Sequence, residues 1–456
     1  MSVDTSTSQG RDHVEAVPVP KSVPVGRVIA GSLVAGAVAA LILMVVVFPG
    51  ATESVITGSA LLAFGLGWAM MRVLSARMTT QPQRWTIVPA VAMTATGAGL
   101  LVFTPQDATL STLTWVWPPL MLTLVGWMFV QMRRALTGRG RWLLTPVLVF
   151  LAAASVGATV ANVAAHRVES TYPAPGKTYA VGDHRLHLYC QGSGGPTVVL
   201  FNGMGEFSAS WARITDPVST TTRVCAYDRA GQGWSDDVAS PQDGVTAARD
   251  LHAVLAAAGE HGPYVLVGHS IGGPYAMTYA AAYPEQVAGM VLLDSSSPHQ
   301  FTAVPAYPTQ YALVLRRGLA ILPTLARVGL QQVIPSGSSL PDEDSALVEA
   351  MGSTPRIFRN GRDEISMVPL VFKQAQGLRT LGSRPLAVVT ASENLGNDGW
   401  PAAQDRMAAL STDSLHTVAE SSHAGVVDAP HGAAESVRAI TAIVHAVVTG
   451  SALATP

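Results

Sequence analysis

The sequence predicts an α/β domain with a mostly parallel sheet, preceded by an all-α membrane region. Only 13% of the residues are charged, about half the usual fraction, and the shortage is concentrated in the first third of the chain. In the remaining part, apolar strands alternate with helices, and this alternation builds a sheet covered by helices on both faces. The 456 residues are enough for two or three domains.

The N-terminal third is predicted to cross a membrane about five times. Residues 1–26 are rich in Ser, Thr, Val and Pro and are predicted to form a disordered cytoplasmic tail. The membrane region, 27–166, contains five apolar runs without charge, each about 20 residues long and able to cross a hydrocarbon core of ~30 Å as a helix. The runs are 28–48, 54–71, 85–104, 108–132 and 142–165.

The basic residues between the runs predict the orientation. Lys21 and Arg27 precede the first run. Between the second and third runs lie Arg72, Arg77 and Arg84, and between the fourth and fifth lie Arg133, Arg134, Arg139 and Arg141. The positive-inside rule then places the N-terminus in the cytoplasm and everything after Ala165 outside the cytoplasmic membrane. Because no charged residue lies inside a run, the region is predicted to anchor the protein rather than to transport.

One stretch of the α/β domain predicts a nucleophile. A short apolar strand leads into Gly268-His269-Ser270-Ile271-Gly272, which matches the G-x-S-x-G nucleophile elbow, and a helix rich in small residues follows. Small neighbours are needed because the sharp turn strains the backbone at Ser270. The alternative interpretation is a serine that merely fits a tight turn.

The rest of this domain is predicted as a hairpin (178–181 and 185–190), further strands and flanking helices. The predicted strands are 197–201, 223–227, 264–267, 289–294, 386–390 and 414–419, and the helices are 245–258, one beginning near 271, and 433–448.

Residues 172–450, roughly three-fifths of the chain, resemble the α/β-hydrolase family of serine hydrolases. Five motifs in family order carry the resemblance: Phe201-Asn202-Gly203-Met204-Gly205, Tyr227-Asp228-Arg229-Ala230-Gly231-Gln232-Gly233-Trp234-Ser235, the elbow at Ser270, Val291-Leu292-Leu293-Asp294, and Ser421-Ser422-His423. The resemblance implies an eight-stranded sheet with a cap, 295–383, inserted after the sixth strand.

The resemblance also implies the catalytic groups. Ser270 is the expected nucleophile and His423, in the loop after the last strand, the expected base. The backbone N–H groups of Met204 and Ile271 are the expected oxyanion hole. The family usually has His-Gly before the first of these donors, whereas this chain has Asn202-Gly203.

Two carboxylates are candidates for the acid that orients His423. The family usually places an Asp after the seventh strand, but Asn394 stands there, with Glu393 beside it. Some members take the acid from the end of the sixth strand, where this chain has Asp294. We favour Asp294, although an Asp at a strand end can also be purely structural.

The predicted function is a membrane-anchored serine hydrolase that cleaves ester or amide bonds of apolar small molecules through an acyl-enzyme. An acyltransferase with the same triad and a non-catalytic membrane sensor or binding domain are the alternatives. No metal-ligand spacing predicts a metal or cofactor. The formal charge of −2 gives no reason to expect nucleic acid.

Two further features leave alternatives open. Residues 311–333 are apolar with interspersed arginines, which predicts either a helical lid on the core, which we prefer, or an interfacial helix with arginines toward lipid headgroups. By the family's strand order, Cys190 and Cys225 lie on adjacent antiparallel strands. They could form a disulfide in an oxidising compartment or remain two small buried thiols.

Overall fold

The computed structural model describes residues 23–138, 140–333 and 337–453. The predicted tail therefore lies outside the described residues except for its last four positions, as do Lys21 and Arg139. The first helix begins at Val25, slightly before the predicted start of the membrane region.

Six α-helices are described in the N-terminal part, and a short 3₁₀ helix, Arg84–Thr86, precedes the third. The α-helices are α1 (Val25–Ile42, continued by a π-helical turn, Leu43–Val47), α2 (Glu53–Met78), α3 (Ile87–Phe103), α4 (Asp107–Leu113), α5 (Trp117–Ala135) and α6 (Gly140–Thr171). Among the described residues, four segments are long and apolar enough to cross a membrane: Val25–Val47, Glu53–Met78, Arg84–Phe103 and Gly140–Thr171. The pair α4 and α5 would make a fifth if it formed one bent span.

The structure divides the fourth predicted run into two helices. The axes of α4 and α5 differ by 46° across a short break. Pro118 and Pro119 open α5, and because proline has no backbone N–H, neither can donate to a carbonyl in the preceding turn. The helix therefore stops at Leu113 and restarts at Trp117, which an apolar run by itself does not indicate.

The loops of the helical part meet at two ends. At one end the amide of Val23 donates to the carbonyl of Met78 (2.9 Å), and the amide of Thr137 donates to Gln81 Oε1 (3.0 Å). At the other end Ser54 Oγ donates to the Pro105 carbonyl (2.5 Å). The loops that carry most of the arginines lie at the first end, and α6 runs from that end toward the C-terminal domain.

The C-terminal domain contains an eight-stranded sheet, which confirms the predicted fold class. Its strands are β1 (Lys177–Val181), β2 (His184–Gln191), β3 (Val198–Phe201), β4 (Val224–Tyr227), β5 (Tyr264–His269), β6 (Val287–Leu293), β7 (Leu386–Ala391) and β8 (Ser414–Ala419). The strand order is β1-β2-β4-β3-β5-β6-β7-β8, and only β2 pairs antiparallel with its neighbours. The central strands are buried along their whole length because helices cover both faces.

Eleven α-helices are described in this domain: α7 (Ala212–Ser219), α8 (Gly244–Ala258), α9 (Gly272–Ala282), α10 (Gln300–Ala303), α11 (Tyr307–Gln310), α12 (Leu322–Arg327), α13 (Asp342–Gly352), α14 (Pro355–Ala375), α15 (Trp400–Ala408), α16 (Gly425–Asp428) and α17 (Pro430–Thr449). One core packs α8, α9 and α14 against the sheet, and a second packs α7 and α17 against the opposite face.

Helices α10 to α14 make up the cap, between β6 and β7. The stretch predicted as one apolar helical lid is built from several short pieces: a π-helix (Tyr311–Gly318), a 3₁₀ turn (Leu319–Ile321), α12 and a second 3₁₀ turn (Leu330–Val333). Pro323 at the start of α12 and Gly329, with φ of +85°, interrupt the helical hydrogen bonding.

The two cysteines are bonded. The register of β2 against β4 places Cys190 directly opposite Cys225, and the structure joins them in a disulfide across 35 residues of chain. Closing a loop of this length stabilises a fold by about 2–4 kcal/mol.

Candidate active site

Ser270 lies at the turn between β5 and α9. Its φ is +53°, a left-handed conformation that side chains rarely adopt and that commonly marks a functional turn. Gly272 lets this turn pack against β3, because a Cβ there would lie 2.1 Å from the Phe201 carbonyl oxygen. The sharp turn and this close approach bring the elbow next to the loop that follows β3.

His423 joins Ser270 to a buried carboxylate. Its Nε2 lies 3.0 Å from Ser270 Oγ, and its Nδ1 lies 2.5 Å from Asp294 Oδ2. Since an ionised carboxylate only accepts hydrogen bonds, the ring proton lies on Nδ1 and leaves Nε2 free to accept the serine proton. The structure thus brings together three residues that are far apart in the sequence.

Asp294 is fully buried at the end of β6. Besides His423, it accepts hydrogen bonds from the Ala391 amide (3.1 Å), Trp400 Nε1 (3.1 Å) and Asn394 Nδ2 (2.5 Å). These donors satisfy and hold an ionised carboxylate. Asn394, which occupies the family's usual acid position, is a donor to the carboxylate.

Glu393 does not contact the His423 ring. Its Oε2 accepts a hydrogen bond from the backbone amide of His423 (2.7 Å), so it fixes the loop that carries the histidine. The structure therefore places the favoured carboxylate against the imidazole and the alternative against the backbone.

The proposed oxyanion donors lie on two facing loops. Met204 follows β3, and Ile271 immediately follows Ser270. Within the described parts of the chain, neither amide donates a hydrogen bond to a protein acceptor. Two free N–H groups beside the predicted nucleophile are what an oxyanion hole requires.

Asn202 braces this region from behind and does not enter the site. Its amide group donates to the Tyr227 carbonyl (2.8 Å) and accepts from Trp211 Nε1 (2.8 Å). Arg229 Nη1 donates to the Asn202 carbonyl (2.8 Å) and is paired with Glu364 of α14 (2.6 Å). These contacts hold the backbone of the loop that leads to Met204.

An unpredicted ion pair lies beside the three residues. His269 Nδ1 is 2.5 Å from Glu206 Oε1, and His269 Nε2 donates to the His423 carbonyl (2.9 Å). Glu206 Oε2 accepts a hydrogen bond from the Gly203 amide (2.5 Å). Because both ring nitrogens of His269 face acceptors, its imidazole is held as a cation.

The pKa values of the pair shift in the directions expected for two charged partners. Burial alone would raise the pKa of Glu206, but the attraction and hydrogen bond of His269 outweigh it and lower that pKa below 4.5. Burial alone would lower the pKa of His269, but Glu206 outweighs it and raises that pKa above 6.5. The charged pair thus connects the loop after β3, which carries Glu206, to the turn that carries Ser270 and to the loop that carries His423.

We expect Glu206→Gln to weaken both the fold and the site, because His269 loses its counter-charge. The unfolding free energy should fall by about 1.5–3 kcal/mol, and kcat/KM for the ester hydrolysis predicted from the sequence should fall about 10- to 100-fold, because the loops that carry the site residues shift relative to one another. Glu285→Gln, at an exposed position, is the matched control. Thermal or urea unfolding and steady-state kinetics measure the two effects.

The stability difference between Glu206→Gln and the parent should also depend on pH. A lowered carboxyl pKa stabilises the fold above the ordinary value of 4.5, and this contribution is lost as the pH falls through the lowered pKa. A raised histidine pKa stabilises fully below 6.5, and this contribution is lost as the pH rises through the raised pKa. The difference in unfolding free energy should therefore be largest between pH 4.5 and pH 6.5. A difference that does not change with pH would contradict the ion pair.

Comparisons with known proteins agree with this architecture. A sequence model described as the α/β hydrolase fold matches residues 196–328. An uncharacterised protein of Schizosaccharomyces pombe is 34% identical over 180 residues, which cover 33% of this chain and 34% of that protein. Lipase LipV of Mycobacterium tuberculosis is 40% identical over 110 residues, covering 24% of this chain and 41% of the lipase.

The matches span only part of each relative, about two-fifths or less of these two proteins. Among solved structures, Est816, described as an N-acyl homoserine lactone degrading enzyme, aligns with a TM-score of 0.45 at 21% identity. That alignment covers 57% of this chain and 99% of the other.

Proposed function

We propose that this chain, whose part after Thr171 is an α/β-hydrolase domain, is a membrane-anchored serine hydrolase that cleaves ester or amide bonds. One observation carries the proposal: the continuous contact from Ser270 Oγ through the His423 ring to the buried Asp294 carboxylate, at 3.0 and 2.5 Å. A serine hydroxyl is a weak nucleophile until a base removes its proton, and this arrangement supplies that base in the required orientation.

The mechanism follows from these positions. His423 Nε2 takes the Ser270 proton as Oγ attacks the acyl carbon, and the amides of Met204 and Ile271 stabilise the oxyanion. Asp294 stabilises the imidazolium, which then protonates the leaving alcohol or amine and leaves an acyl-enzyme. His423 next removes a proton from water, which cleaves the acyl-enzyme and restores Ser270.

A fluorophosphonate probe tests the proposal with the purified full chain. The expected result is one covalent adduct on the peptide that contains Ser270, together with hydrolysis of at least one member of an ester series of increasing acyl length. An unlabelled Ser270 in folded protein would instead favour a non-catalytic binding domain. Rapid transfer of the acyl group to an added alcohol rather than to water would identify an acyltransferase.

We also propose that the hydrolase domain faces away from the cytoplasm. The loops with most of the arginines gather at one end of the helical part, whereas Glu53, Pro105 and the cap lie at the other. Basic loops are retained on the cytoplasmic side. The disulfide agrees with this orientation, because disulfides persist in oxidising compartments.

A reporter enzyme that is active only outside the cytoplasm should therefore be active when fused after Pro456 and silent when inserted near Gly138. A second reporter, active only inside, should give the reverse pattern. If the C-terminal fusion is silent, the hydrolase domain faces the cytoplasm and the proposed orientation is wrong.

A further inference from the structure

Part of the cap lies alongside the helices of the membrane region. This part, residues 311–330, is called the membrane-side cap segment. Arg317 Nε donates to the Val45 carbonyl at the end of the first span (3.1 Å), and Thr324 Oγ1 lies 2.9 Å from Thr57 Oγ1 of α2. The backbone at Val328 touches α6, where a Cβ on Gly157 would lie 2.3 Å from the Val328 carbonyl oxygen.

The contact with α6 gives the depth of the segment. Gly157 is seventeen residues after Gly140, where α6 begins at the arginine-rich end. At 1.5 Å per residue this is about 25 Å along the helix, which is still inside a hydrocarbon core of ~30 Å. The segment therefore reaches the level of the acyl chains at the outer side of the membrane.

The one strongly buried cation of the segment is neutralised by the membrane helices. Arg327 forms an ion pair with Glu53 at the start of α2 and another with Asp107 at the start of α4 (2.6 Å). All three side chains are largely buried. Charged groups at membrane depth persist when they are paired in this way, so Arg327 fastens the segment to the helices and is not directed at lipid headgroups.

The same segment presents uncovered aliphatic side chains. Leu313 and Val314 are each 57% exposed, and Leu330 is exposed as well. Leu313 and Val314 adjoin the end of the first span, where Val46 and Val47 are also exposed, because Arg317, a few residues later, bonds to the neighbouring Val45. An exposed apolar surface that continues the lipid-facing surface of a span is covered by lipid.

The segment is close to the candidate active site. Tyr311 Oη donates to the Ile365 carbonyl of α14 (3.1 Å). On the same helix, a Cβ at Gly361 would lie 3.8 Å from the side chain of Met204, whose amide is a proposed oxyanion donor. Helix α14 thus lies between the segment and the oxyanion loop, and one helix is about 10 Å across.

From these contacts we propose that the membrane-side cap segment is immersed in the outer leaflet and that the site takes its substrate from that leaflet, as the ester of a membrane lipid. This proposal rests on the serine-hydrolase function and adds the source and class of the substrate. Its partner is the bilayer itself. A lipid ester would pass from the leaflet beside α14 to Ser270 without crossing bulk water.

Fluorescence quenching tests the immersion directly. Because both native cysteines are in the disulfide, a thiol-reactive fluorophore can be attached to Leu313→Cys or Val314→Cys in the full chain reconstituted in phosphatidylcholine vesicles. Lipids with a nitroxide on the acyl chain should quench most of the fluorescence at both positions. Val448→Cys, on the exposed face of α17, is the matched control and should be little quenched. Equal quenching at all three positions would overturn the proposal.

Kinetics test the source of the substrate. The ratio of two rates is measured, that on a long-chain lipid ester carried in vesicles and that on a short-chain soluble ester. We expect the double variant Leu313→Glu/Val314→Glu to lower this ratio by about tenfold or more, because charges are expensive at acyl-chain depth, whereas Val448→Glu leaves it unchanged.

The two proposals fail in distinguishable ways. An unchanged ratio in the double variant, or a parent protein that cleaves the soluble ester but no vesicle-borne lipid, overturns the lipid source and leaves the hydrolase function intact. A parent protein that cleaves neither ester and does not react with fluorophosphonate overturns both.

Discussion

Ser270→Ala is expected to lower kcat for ester hydrolysis by about 10⁶-fold, because the members of a serine triad act as a unit. His423→Ala should cost a similar factor, and the double variant should be scarcely worse than either single one. The unfolding midpoint should change little, since the Ser270 hydroxyl makes its one described side-chain contact with His423. Hydrolysis of a soluble short-chain ester by the purified full chain measures the effect.

Ser414→Ala, at an exposed position on β8, is the matched control and should retain the parent rate. Substantial turnover in Ser270→Ala would rule out Ser270 as the nucleophile. Additive losses in the double variant would mean that the serine and the histidine act independently.

Asp294→Asn is expected to lower kcat by about 10⁴-fold, because an amide at this position favours the wrong tautomer of the histidine. This loss of kcat should exceed the loss caused by Glu393→Gln by orders of magnitude. Asp294 contacts the His423 ring, whereas Glu393 contacts only the backbone amide. The two variants, compared on the same ester at the same pH, measure the difference.

Glu393→Gln is a well-matched control because glutamine keeps an oxygen acceptor for the His423 amide. Circular dichroism and the unfolding midpoint establish that Asp294→Asn is folded, since this residue also holds Ala391 and Trp400. A larger loss in Glu393→Gln than in Asp294→Asn would move the acid assignment to Glu393.

The fold and the turn that carries Ser270 could be predicted because their signals are local. The elbow at Ser270 is a strand, a small-residue turn and a helix within a dozen residues. The alternation of strands with helices is likewise visible along the sequence, and it correctly predicted a mostly parallel sheet. The sequence favoured Asp294 over Glu393 but could not decide between them. The decision depends on which carboxylate faces the His423 ring, and His423 is 129 residues from Asp294 and 30 residues from Glu393.

The contacts that were missed join residues without any local pattern. Glu206 meets His269 across 63 residues, and Glu364 meets Arg229 across 135. Neither pair has a spacing that secondary structure imposes, so only the folded chain shows them. The bend at Pro118 was missed for a different reason: hydropathy measures whether a segment is apolar, and it is insensitive to the loss of a backbone donor.

The ion pairs of Arg327 with Glu53 and Asp107 have a consequence for the synthesis of the protein. Arg327 is synthesised 274 residues after Glu53, which at ribosomal speed is roughly 15 seconds to a minute later. During that interval the nascent helix bundle already contains both acids, but the arginine that pairs with them has not yet been synthesised. We therefore expect chains that stop before the cap to be recognised as incomplete by membrane quality-control proteases. Pulse-chase lifetimes of a chain ending at Ser295, with and without Glu53→Gln/Asp107→Asn, would show whether the unpaired acids mark the unfinished product.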